Sequence, residues 1–292
     1  MRKILLALVA IVSSSAAALA LAAPAGAITG DFVEDNEHPY VGLIAFYDAD
    51  GEFTHRCSGS LLTDTVVLTA GHCTDATTGA VSAVMWLQQD AGADFDPETG
   101  APAKSGYPDG CAEGTKGTLC ATSTRLFNYG FADFAGFPDT KDAGLVILDQ
   151  SIEMPEYGQL AKVGTLDQFA TRRGQQKATF TASGYGLTET NPVHTISFRE
   201  RLMAQATLTN LRSFNTDGFN LQTNGNGKGK GGTCSGDSGG PVYLGGFESN
   251  LIVAVTSFGM NEWCRGTDFS YRTDTAAVQQ WIEDTVGAEW DE

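Results

Sequence analysis

Short apolar runs separated by glycine, aspartate and asparagine recur along this chain of 292 residues. Several runs alternate apolar and polar residues or are rich in β-branched side chains, which is typical of sheet strands. Many short strands joined by turn residues predict an all-β barrel or sandwich. The runs cover residues 41–47, 60–62, 66–69, 84–87, 145–148, 178–182, 203–208, 241–244 and 251–258.

One helix is expected near the C-terminus. Its apolar positions recur at helical spacing from about Thr275, and the preceding Asp274 is a candidate N-cap. The positions at this spacing are Val278, Trp281, Ile282 and Thr285.

The first 27 residues predict a secretory signal. They have a positively charged start, an apolar core at 4–12 and small residues at 25–27 before a cleavage point. A membrane anchor would need about 20 continuous apolar residues, and the serines at 13–15 and Pro24 interrupt this stretch. We therefore expect export with cleavage, and the alanine-rich signal suggests a bacterial exporter.

Charge and cysteine content limit the classes of function. The formal net charge of −17 disfavours a nucleic-acid partner, because phosphate binding needs a basic face. Six cysteines in an exported chain imply disulfides rather than metal ligands, but their number alone leaves the pairing open. We expect a secreted monomer that needs no metal or other cofactor and has no membrane partner after the signal is cleaved.

Two segments far apart in the chain contain the residues of nucleophilic catalysis. Residues 69–73 have the sequence Thr-Ala-Gly-His-Cys, and residues 236–241 have the sequence Gly-Asp-Ser-Gly-Gly-Pro. A serine hydroxyl becomes a good nucleophile when an imidazole accepts its proton, and flanking glycines expose N–H groups that can hold an oxyanion. His72 and Ser238 are therefore the candidate base and nucleophile.

The segment around Ser238 also matches the G-x-S-x-G nucleophile elbow of α/β-hydrolases. Those enzymes place the serine before the acid and the histidine along the chain. Here every histidine precedes Ser238, so chain order excludes the elbow. The histidines are His38, His55, His72 and His194, and we assign a role to His72 alone.

These segments resemble those of the chymotrypsin/trypsin family of serine peptidases. The resemblance includes residues 69–73, residues 234–241 and an acid followed by an apolar strand at 142–148. It extends to Ser-Gly-Tyr-Gly at 183–186 and Ser-Phe-Gly at 257–259, and it covers nearly all of the chain after the signal. The subtilisin order, with the acid before the histidine, lacks this support because the histidine segment follows the other pattern.

The resemblance implies two antiparallel β-barrels with the catalytic cleft between them and a C-terminal helix on the second barrel. After the signal over residues 1–27, a single peptidase domain would cover residues 28–292. Its first barrel would span about 28–150, and its second barrel with the helix about 151–292.

The resemblance also assigns catalytic roles. Its triad corresponds to His72 as general base, Asp142 as the acid that holds the imidazole, and Ser238 as nucleophile. Asp139 lies in the same interval and is the alternative acid. Ser257 corresponds to the family serine that supports the aspartate.

Two further expectations concern the serine loop. The N–H groups of Gly236 and Ser238 would form the oxyanion hole. Asp237 would be buried and would pair with the new N-terminal amine of the active enzyme. That amine would belong to Ile28, which directly follows the predicted signal cleavage site.

The resemblance selects the disulfides Cys57–Cys73 and Cys234–Cys264. The two remaining cysteines, Cys111 and Cys120, are close in sequence, which predicts a local bridge between them.

The resemblance also implies a pocket for the substrate residue before the scissile bond. The resemblance places its base at Gly232, where trypsin-type enzymes have an aspartate, and adds Thr233, Ser257 and Gly259 to its lining. Without a charge at its base, the pocket is expected to prefer an uncharged residue. Two neighbours on its far wall leave alternatives open: Phe269 would shorten the pocket, and Asp268 would supply an acid from the opposite side.

Two loops look inserted. Residues 88–129 are rich in glycine, proline, aspartate and alanine, and their acids could bind Ca²⁺, although a solvated acidic face explains them better. These acids are Asp90, Asp94, Asp96 and Glu98.

A Gly-x-Gly-x-x-Gly match within residues 224–232 continues directly into the serine loop, so we interpret it as a flexible loop and not as a nucleotide site.

The sequence therefore predicts a secreted serine endopeptidase that cleaves protein or peptide substrates through an acyl-enzyme. One alternative is a catalytically silent homologue that binds a partner with the same fold. The other is an esterase, because the same triad also cleaves esters.

Overall fold

The computed structural model describes residues 28–94, 111, 119–170, 177–193 and 195–287. The predicted signal, most of the acidic insert and His194 lie outside the described residues. Within the described ranges the fold is mostly β-sheet and contains a single α-helix, which confirms the all-β class. No helix in these ranges is both long and apolar enough to cross a membrane.

Two short strands begin the described chain and lead into the first large sheet. They are β1 (Thr29–Gly30) and β2 (Phe32–Glu34). The sheet then consists of β3 (Val41–Tyr47), β4 (Phe53–Leu61), β5 (Val66–Thr69), β6 (Ser82–Trp86), β7 (Cys120–Ser123), β8 (Arg125–Asn128) and β9 (Gly144–Ile147). Among the described residues its antiparallel order is β7-β6-β3-β4-β5-β9-β8. Every residue of β3 is buried, because this strand lies between β4 and β6 in the middle of the sheet.

The second large sheet follows in the chain. The strands of this half are β10 (Gln159–Leu160), β11 (Thr179–Gly184), β12 (Glu189–Thr190), β13 (Thr195–Ile196), β14 (Leu202–Asn210), β15 (Asn220–Asn224), β16 (Gly231–Gly232), β17 (Pro241–Leu244), β18 (Leu251–Gly259) and β19 (Thr267–Arg272). The order β18-β17-β11-β14-β15-β19 returns to β18, so these strands close into a barrel. β2 joins this sheet by pairing with β14, whereas β1–β16 and β12–β13 are separate pairs.

The helix α1 (Ala276–Val286) ends the described chain. Its N-cap is Thr275, whose side chain accepts the N–H of Val278. The prediction of Asp274 as the cap was wrong by one residue. Asp274 is fully buried and instead binds the Arg272 guanidinium at 2.8 Å, because a buried cation needs a carboxylate close to it. Short 3₁₀ turns lie at Gly71–Cys73, Ala76–Thr78, Ala91–Asp94 and Thr165–Phe169.

The cysteines of the described chain form three disulfides, all of them as predicted. Their Cα–Cα distances are 6.3 Å for Cys57–Cys73, 5.7 Å for Cys111–Cys120 and 5.1 Å for Cys234–Cys264. The first joins β4 to the turn that carries His72. The third joins the start of the serine loop to the segment before β19.

A buried ionic cluster fixes the N-terminal segment on the second sheet. Asp35 is fully buried, and both of its carboxylate oxygens lie 2.9 Å from Nδ1 of His38. The Ser183 hydroxyl on β11 also donates to this carboxylate. Arg201 donates from Nε to the backbone carbonyl of Asp35 at 2.9 Å. Burial alone would raise the pKa of Asp35, but the hydrogen bond and charge of His38 lower it below its ordinary value.

We expect Asp35→Asn to reduce the free energy of unfolding at pH 7 by about 3 kcal/mol, because it leaves His38 and Ser183 without a charged partner. A carboxylate with a lowered folded-state pKa stabilises the fold above its unfolded pKa, and this contribution is lost as pH falls through the folded value. The difference between the wild type and the variant should therefore shrink below about pH 4. Urea unfolding at several pH values measures it. The exposed Glu283→Gln is the matched control, and an equal effect of both substitutions would contradict the role of the cluster.

Candidate active site

His72 lies on a short 3₁₀ turn that directly follows strand β5. The turn is held by the disulfide of Cys73 and by the side-chain amide of Asn128, which donates to the carbonyl of Gly71 at 2.7 Å. These contacts fix the backbone on both sides of His72. Its side chain is about a quarter exposed, so the imidazole is anchored at one edge and open to the cleft at the other.

Asp142 lies against His72 and precedes β9. It is fully buried, and its Oδ2 lies 2.9 Å from Nδ1 of His72. The backbone N–H of His72 donates to Oδ1 at 2.7 Å, and the Ser257 hydroxyl donates to Oδ2. Because an ionised carboxylate only accepts hydrogen bonds, Nδ1 must carry the proton, which leaves Nε2 free to accept one.

The alternative acid, Asp139, has a different partner. Its Oδ1 accepts the hydroxyl of Tyr271 at 2.7 Å. Of the two candidate aspartates, the structure therefore brings Asp142 and not Asp139 into contact with His72.

The serine loop packs on the histidine segment through Gly239. This residue has a φ of +78°, and a Cβ built on it would lie 2.0 Å from Oγ1 of Thr69. The flanking Ser238 accepts the N–H of Ser58 on its carbonyl at 2.8 Å. Ser257 lines both the cleft beside Ser238 and the cleft beside His72, so the two clefts are adjacent. No hydrogen bond joins the Ser238 hydroxyl to His72 in the described chain, and such contacts commonly tighten only when substrate binds.

Two backbone donors are available next to Ser238. In the described part of the chain, neither the N–H of Gly236 nor that of Ser238 donates to an acceptor. Gly236 has a φ of +100°, and its carbonyl is turned away to accept the Ser58 hydroxyl at 2.8 Å. Unpaired N–H groups beside a nucleophile can bind the negative oxygen of a tetrahedral intermediate.

Asp237 lies between these donors and points into the protein. It is fully buried, and its carboxylate accepts the N–H groups of Gly186 at 2.7 Å and Cys234 at 2.8 Å. Burial raises the pKa of Asp237 to about 7, and the two N–H bonds and the charge of Arg56 only partly oppose this effect. The other proposed member of the activation pair, Ile28, is also fully buried and packs with Leu202 and Ala204.

The cleft beside Ser238 has a volume of about 370 Å³. Thr233, Ser257 and Gly259 line it, whereas Gly232 lies behind its wall. Phe269 is buried and stacks on Phe258 with ring centroids 4.6 Å apart, and it does not line this cleft. Asp268 is buried and also lies behind this wall, beside Gly232, with its Oδ2 accepting the N–H of Thr233 at 2.9 Å.

An aromatic surface lies beside His72, and the sequence patterns considered above did not predict it. Phe131 lies 5.8 Å from the His72 ring and 5.2 Å from Phe134, which in turn lies 5.3 Å from Phe258. The signal was the recurrence of phenylalanine every third or fourth position at 127, 131, 134 and 137. Apart from Phe127 on β8, these residues fall in a segment of turns, where strand or helix periodicity does not reveal them.

Comparison with known proteins agrees with this geometry. The family described as Trypsin matches residues 27–105 and 125–282. Chymotrypsin-like elastase family member 3B is 25% identical over 250 residues, which is 83% of this chain and 86% of the relative in Macaca mulatta. The relative of the same name in Homo sapiens is also 25% identical, over 83% of this chain and 82% of its own length.

Solved structures with low sequence identity share the fold. HL collagenase has a TM-score of 0.61 and 20% identity, covering 89% of this chain and 98% of its own. Human heparin binding protein has a TM-score of 0.57 and 18% identity, covering 88% of this chain and 95% of its own.

Gly239→Ala tests the contact between the serine loop and the histidine segment. Alanine at a positive φ costs about 1 kcal/mol, and the collision with Thr69 should add a further 1–3 kcal/mol. Gly51→Ala is the matched control, because Gly51 has a φ of +75° and nothing within 4 Å of a built Cβ. Urea unfolding of both variants measures the difference. Equal losses would show that the close approach at Gly239 does not constrain the loop.

Proposed function

The chain belongs to the trypsin family, and from this membership and the geometry of the cleft we propose that it is an exported serine endopeptidase. The observation that supports this proposal most strongly is the contact between His72 and the buried Asp142, in a cleft that shares Ser257 with the cleft beside Ser238. Asp142 holds the imidazole at Nδ1, which leaves Nε2 free to accept a proton, and two unpaired N–H groups flank Ser238.

In the proposed reaction, Ser238 attacks the carbonyl carbon of the scissile peptide bond while Nε2 of His72 accepts its proton. Asp142 stabilises the imidazolium that forms. The N–H groups of Gly236 and Ser238 bind the developing oxyanion, and one such donor typically contributes about 3 kcal/mol to the transition state. His72 then protonates the leaving amine, and water hydrolyses the acyl-enzyme by the reverse transfers.

We also propose the chain organisation that this function requires. Residues 1–27 would be removed on export, and residues 28–292 would form one domain with barrels over about 28–150 and 151–292. The disulfides fit an oxidising compartment, as expected for a secreted protein. Substrates would be proteins or peptides, and the enzyme would act as a monomer without a cofactor.

Activation would accompany signal removal. A cut before Ile28 would free an amine in the segment whose β1 strand pairs with β16, directly before the serine loop. An ammonium paired with Asp237 would compensate the burial of its carboxylate and would hold the N–H groups of Gly236 and Ser238 in place.

A second candidate function is binding without turnover. The fold likeness to human heparin binding protein favours it, because that protein's name describes binding. Labelling with a sulfonyl fluoride separates the two functions, since only an activated serine reacts. We expect stoichiometric modification of Ser238 in the wild type, and a folded protein that stays unlabelled would favour the binding function. Matched amide and ester substrates would then distinguish a peptidase from an esterase.

The triad proposal predicts strong non-additivity. Ser238→Ala should nearly abolish kcat, and adding His72→Ala should cost little more, because the path of the proton is already lost. Asp142→Asn should reduce kcat roughly 10⁴-fold, which is the typical effect of the wrong imidazole tautomer in such triads. Asp139→Asn is the matched control, and we expect it to retain most of the turnover. Steady-state kinetics with a peptide substrate measure these losses, and full activity of Asp142→Asn would contradict the assignment.

The activation proposal predicts that the active secreted protein begins at Ile28. N-terminal sequencing checks this directly, and an active enzyme that begins at Ala23 or Pro24 would contradict it.

Stability gives a second measurement of the same proposal. A carboxyl whose folded-state pKa is raised to about 7 loses stability as pH rises from its unfolded value through 7. A form that retains residues before Ile28 should show this loss between about pH 4 and 7. The processed form, with its ammonium beside Asp237, should show a smaller loss, because only the second buried carboxyl with a pKa raised to about 7, that of Asp268, then contributes to it.

A further inference from the structure

We propose that Asn226 is a site of spontaneous deamidation, and that the isoaspartate formed there loosens the N-terminal arm, residues 28–34. The chain has Asn-Gly pairs at 224–225 and 226–227, where strand β15 leads into the glycine-rich loop before β16. The inference goes beyond the proposed function, because the reaction needs only this loop and water.

The reaction replaces an amide nitrogen by an oxygen. The backbone nitrogen of Gly227 attacks the side-chain Cγ of Asn226, and the side-chain nitrogen leaves as ammonia with the proton of the attacking N–H. Water then opens the succinimide ring at either of its carbonyl carbons. The product is an aspartate or an isoaspartate, in which the backbone runs through the side-chain carbon, and nothing is oxidised or reduced.

The pair Asn226–Gly227 is open to this attack. Both residues are exposed. Among the described residues, the N–H of Gly227 donates to no acceptor, and the side chain of Asn226 makes no hydrogen bond. Gly227 has no Cβ to hinder the approach of Cγ, and glycine adopts its φ of +117° without strain. No hydrogen bond therefore has to break before the nitrogen attacks.

The neighbouring pair, Asn224–Gly225, has the same sequence in a different environment. Asn224 ends β15, where it pairs with β14 on one side and with β19 on the other. The N–H of Gly225 donates to the carbonyl of Gly266 at 3.1 Å. Oδ1 of Asn224 accepts the N–H of Asn226 at 2.7 Å. Attack at this pair would break these bonds and rotate a paired strand, so the fold protects it.

The loop that follows Asn226 holds the N-terminal arm. The N–H of Gly229 donates to Oδ2 of Asp31 at 2.5 Å. The N–H of Asp31 in turn donates to the carbonyl of Lys230 at 2.9 Å. An isoaspartate at 226 lengthens the backbone by one methylene group just before these contacts, so Gly229 and Lys230 shift relative to Asp31.

The new charge alone gives no comparable effect. Asn226 lines a cavity of about 460 Å³ whose lining includes the acids Asp31 and Glu189 and the cations Lys230 and Arg265. A carboxylate at 226 therefore meets charges of both signs, and exposed charge pairs contribute little to stability. We expect the aspartate product to resemble the unmodified protein and the isoaspartate product to differ from it.

Ageing of the folded protein at mildly alkaline pH tests the site. The Ser238→Ala variant is used so that no self-cleavage interferes. Peptide mapping with fragmentation should find Asn226 modified at least ~10-fold faster than Asn224, a difference of about 1.4 kcal/mol between the two barriers. After reduction and unfolding in guanidinium chloride the two rates should become similar, because both pairs are then exposed. Equal rates in the folded protein, or no modification of Asn226, would overturn the assignment.

Substitutions separate the chemistry from the shape of the loop. Asn226→Gln should abolish the reaction at this site, because its longer side chain would have to close a larger ring. Gly227→Ala should slow the reaction roughly 10-fold, since a Cβ next to the attacking nitrogen raises the barrier. Gly229→Ala is the matched control. Gly229 also has a positive φ, +72°, with nothing within 4 Å of a built Cβ, but it follows no asparagine. An equal slowing by both alanines would contradict the mechanism.

Hydrogen exchange tests the effect on the arm. Chromatography separates the aged protein into fractions, and labelling by an isoaspartate methyltransferase identifies the isoaspartate form. In that fraction the N–H of Asp31 should exchange at least ~10-fold faster than in the unmodified and aspartate fractions. The N–H of Val278 in α1 should exchange alike in all three. Equal exchange of Asp31 in every fraction would overturn the effect on the arm, whether or not the protein is a peptidase.

Discussion

The buried carboxylate of Asp142 receives hydrogen bonds from the turn that follows β5 of the first large sheet and from a strand of the second large sheet. It precedes β9 of the first sheet, where it accepts two donors from His72, and it also accepts the hydroxyl of Ser257 on β18 of the second sheet. A buried charge of this kind is stable only while its donors remain in place. The orientation of the imidazole and the approach of the two sheets therefore depend on the same contacts.

Two other buried carboxyls around the cleft differ from Asp142 in their partners. Asp237 and Asp268 accept backbone N–H groups, and burial raises the pKa of both to about 7. Among the described residues, neither carboxyl forms an ion pair with a lysine, arginine or histidine. In the activation proposed above, the chain's own new terminus supplies a cation for Asp237.

Much of this could be predicted from the sequence, and the exceptions have physical reasons. The strands around His72 and Ser238 followed from apolar patterning. The contact between His72 and Asp142 followed from the resemblance of their segments to family motifs. The close packing at Gly239 gives the glycine beside Ser238 a steric reason. The pairing of β2 with β14 could not be predicted, because a strand of three residues has too little pattern to specify its partner. The capping role of Asp274 was mispredicted because a buried Arg272, invisible in local sequence, competes for its carboxylate.

The disulfides are all local, with sequence separations of 16, 9 and 30 residues, and none connects the two large sheets. A single break in the connection between residues 148 and 159 would therefore release two fragments that no covalent bond joins. They would remain associated through non-covalent contacts. These include Asp142 with Ser257, other hydrogen bonds such as that of Ser58 with Ser238, the shared apolar core, and the N-terminal arm in which β1 and β2 pair with strands of the other fragment. The proposed catalytic residues are divided between the fragments, with His72 and Asp142 on the first and Ser238 on the second, so each fragment alone would lack part of the proposed triad.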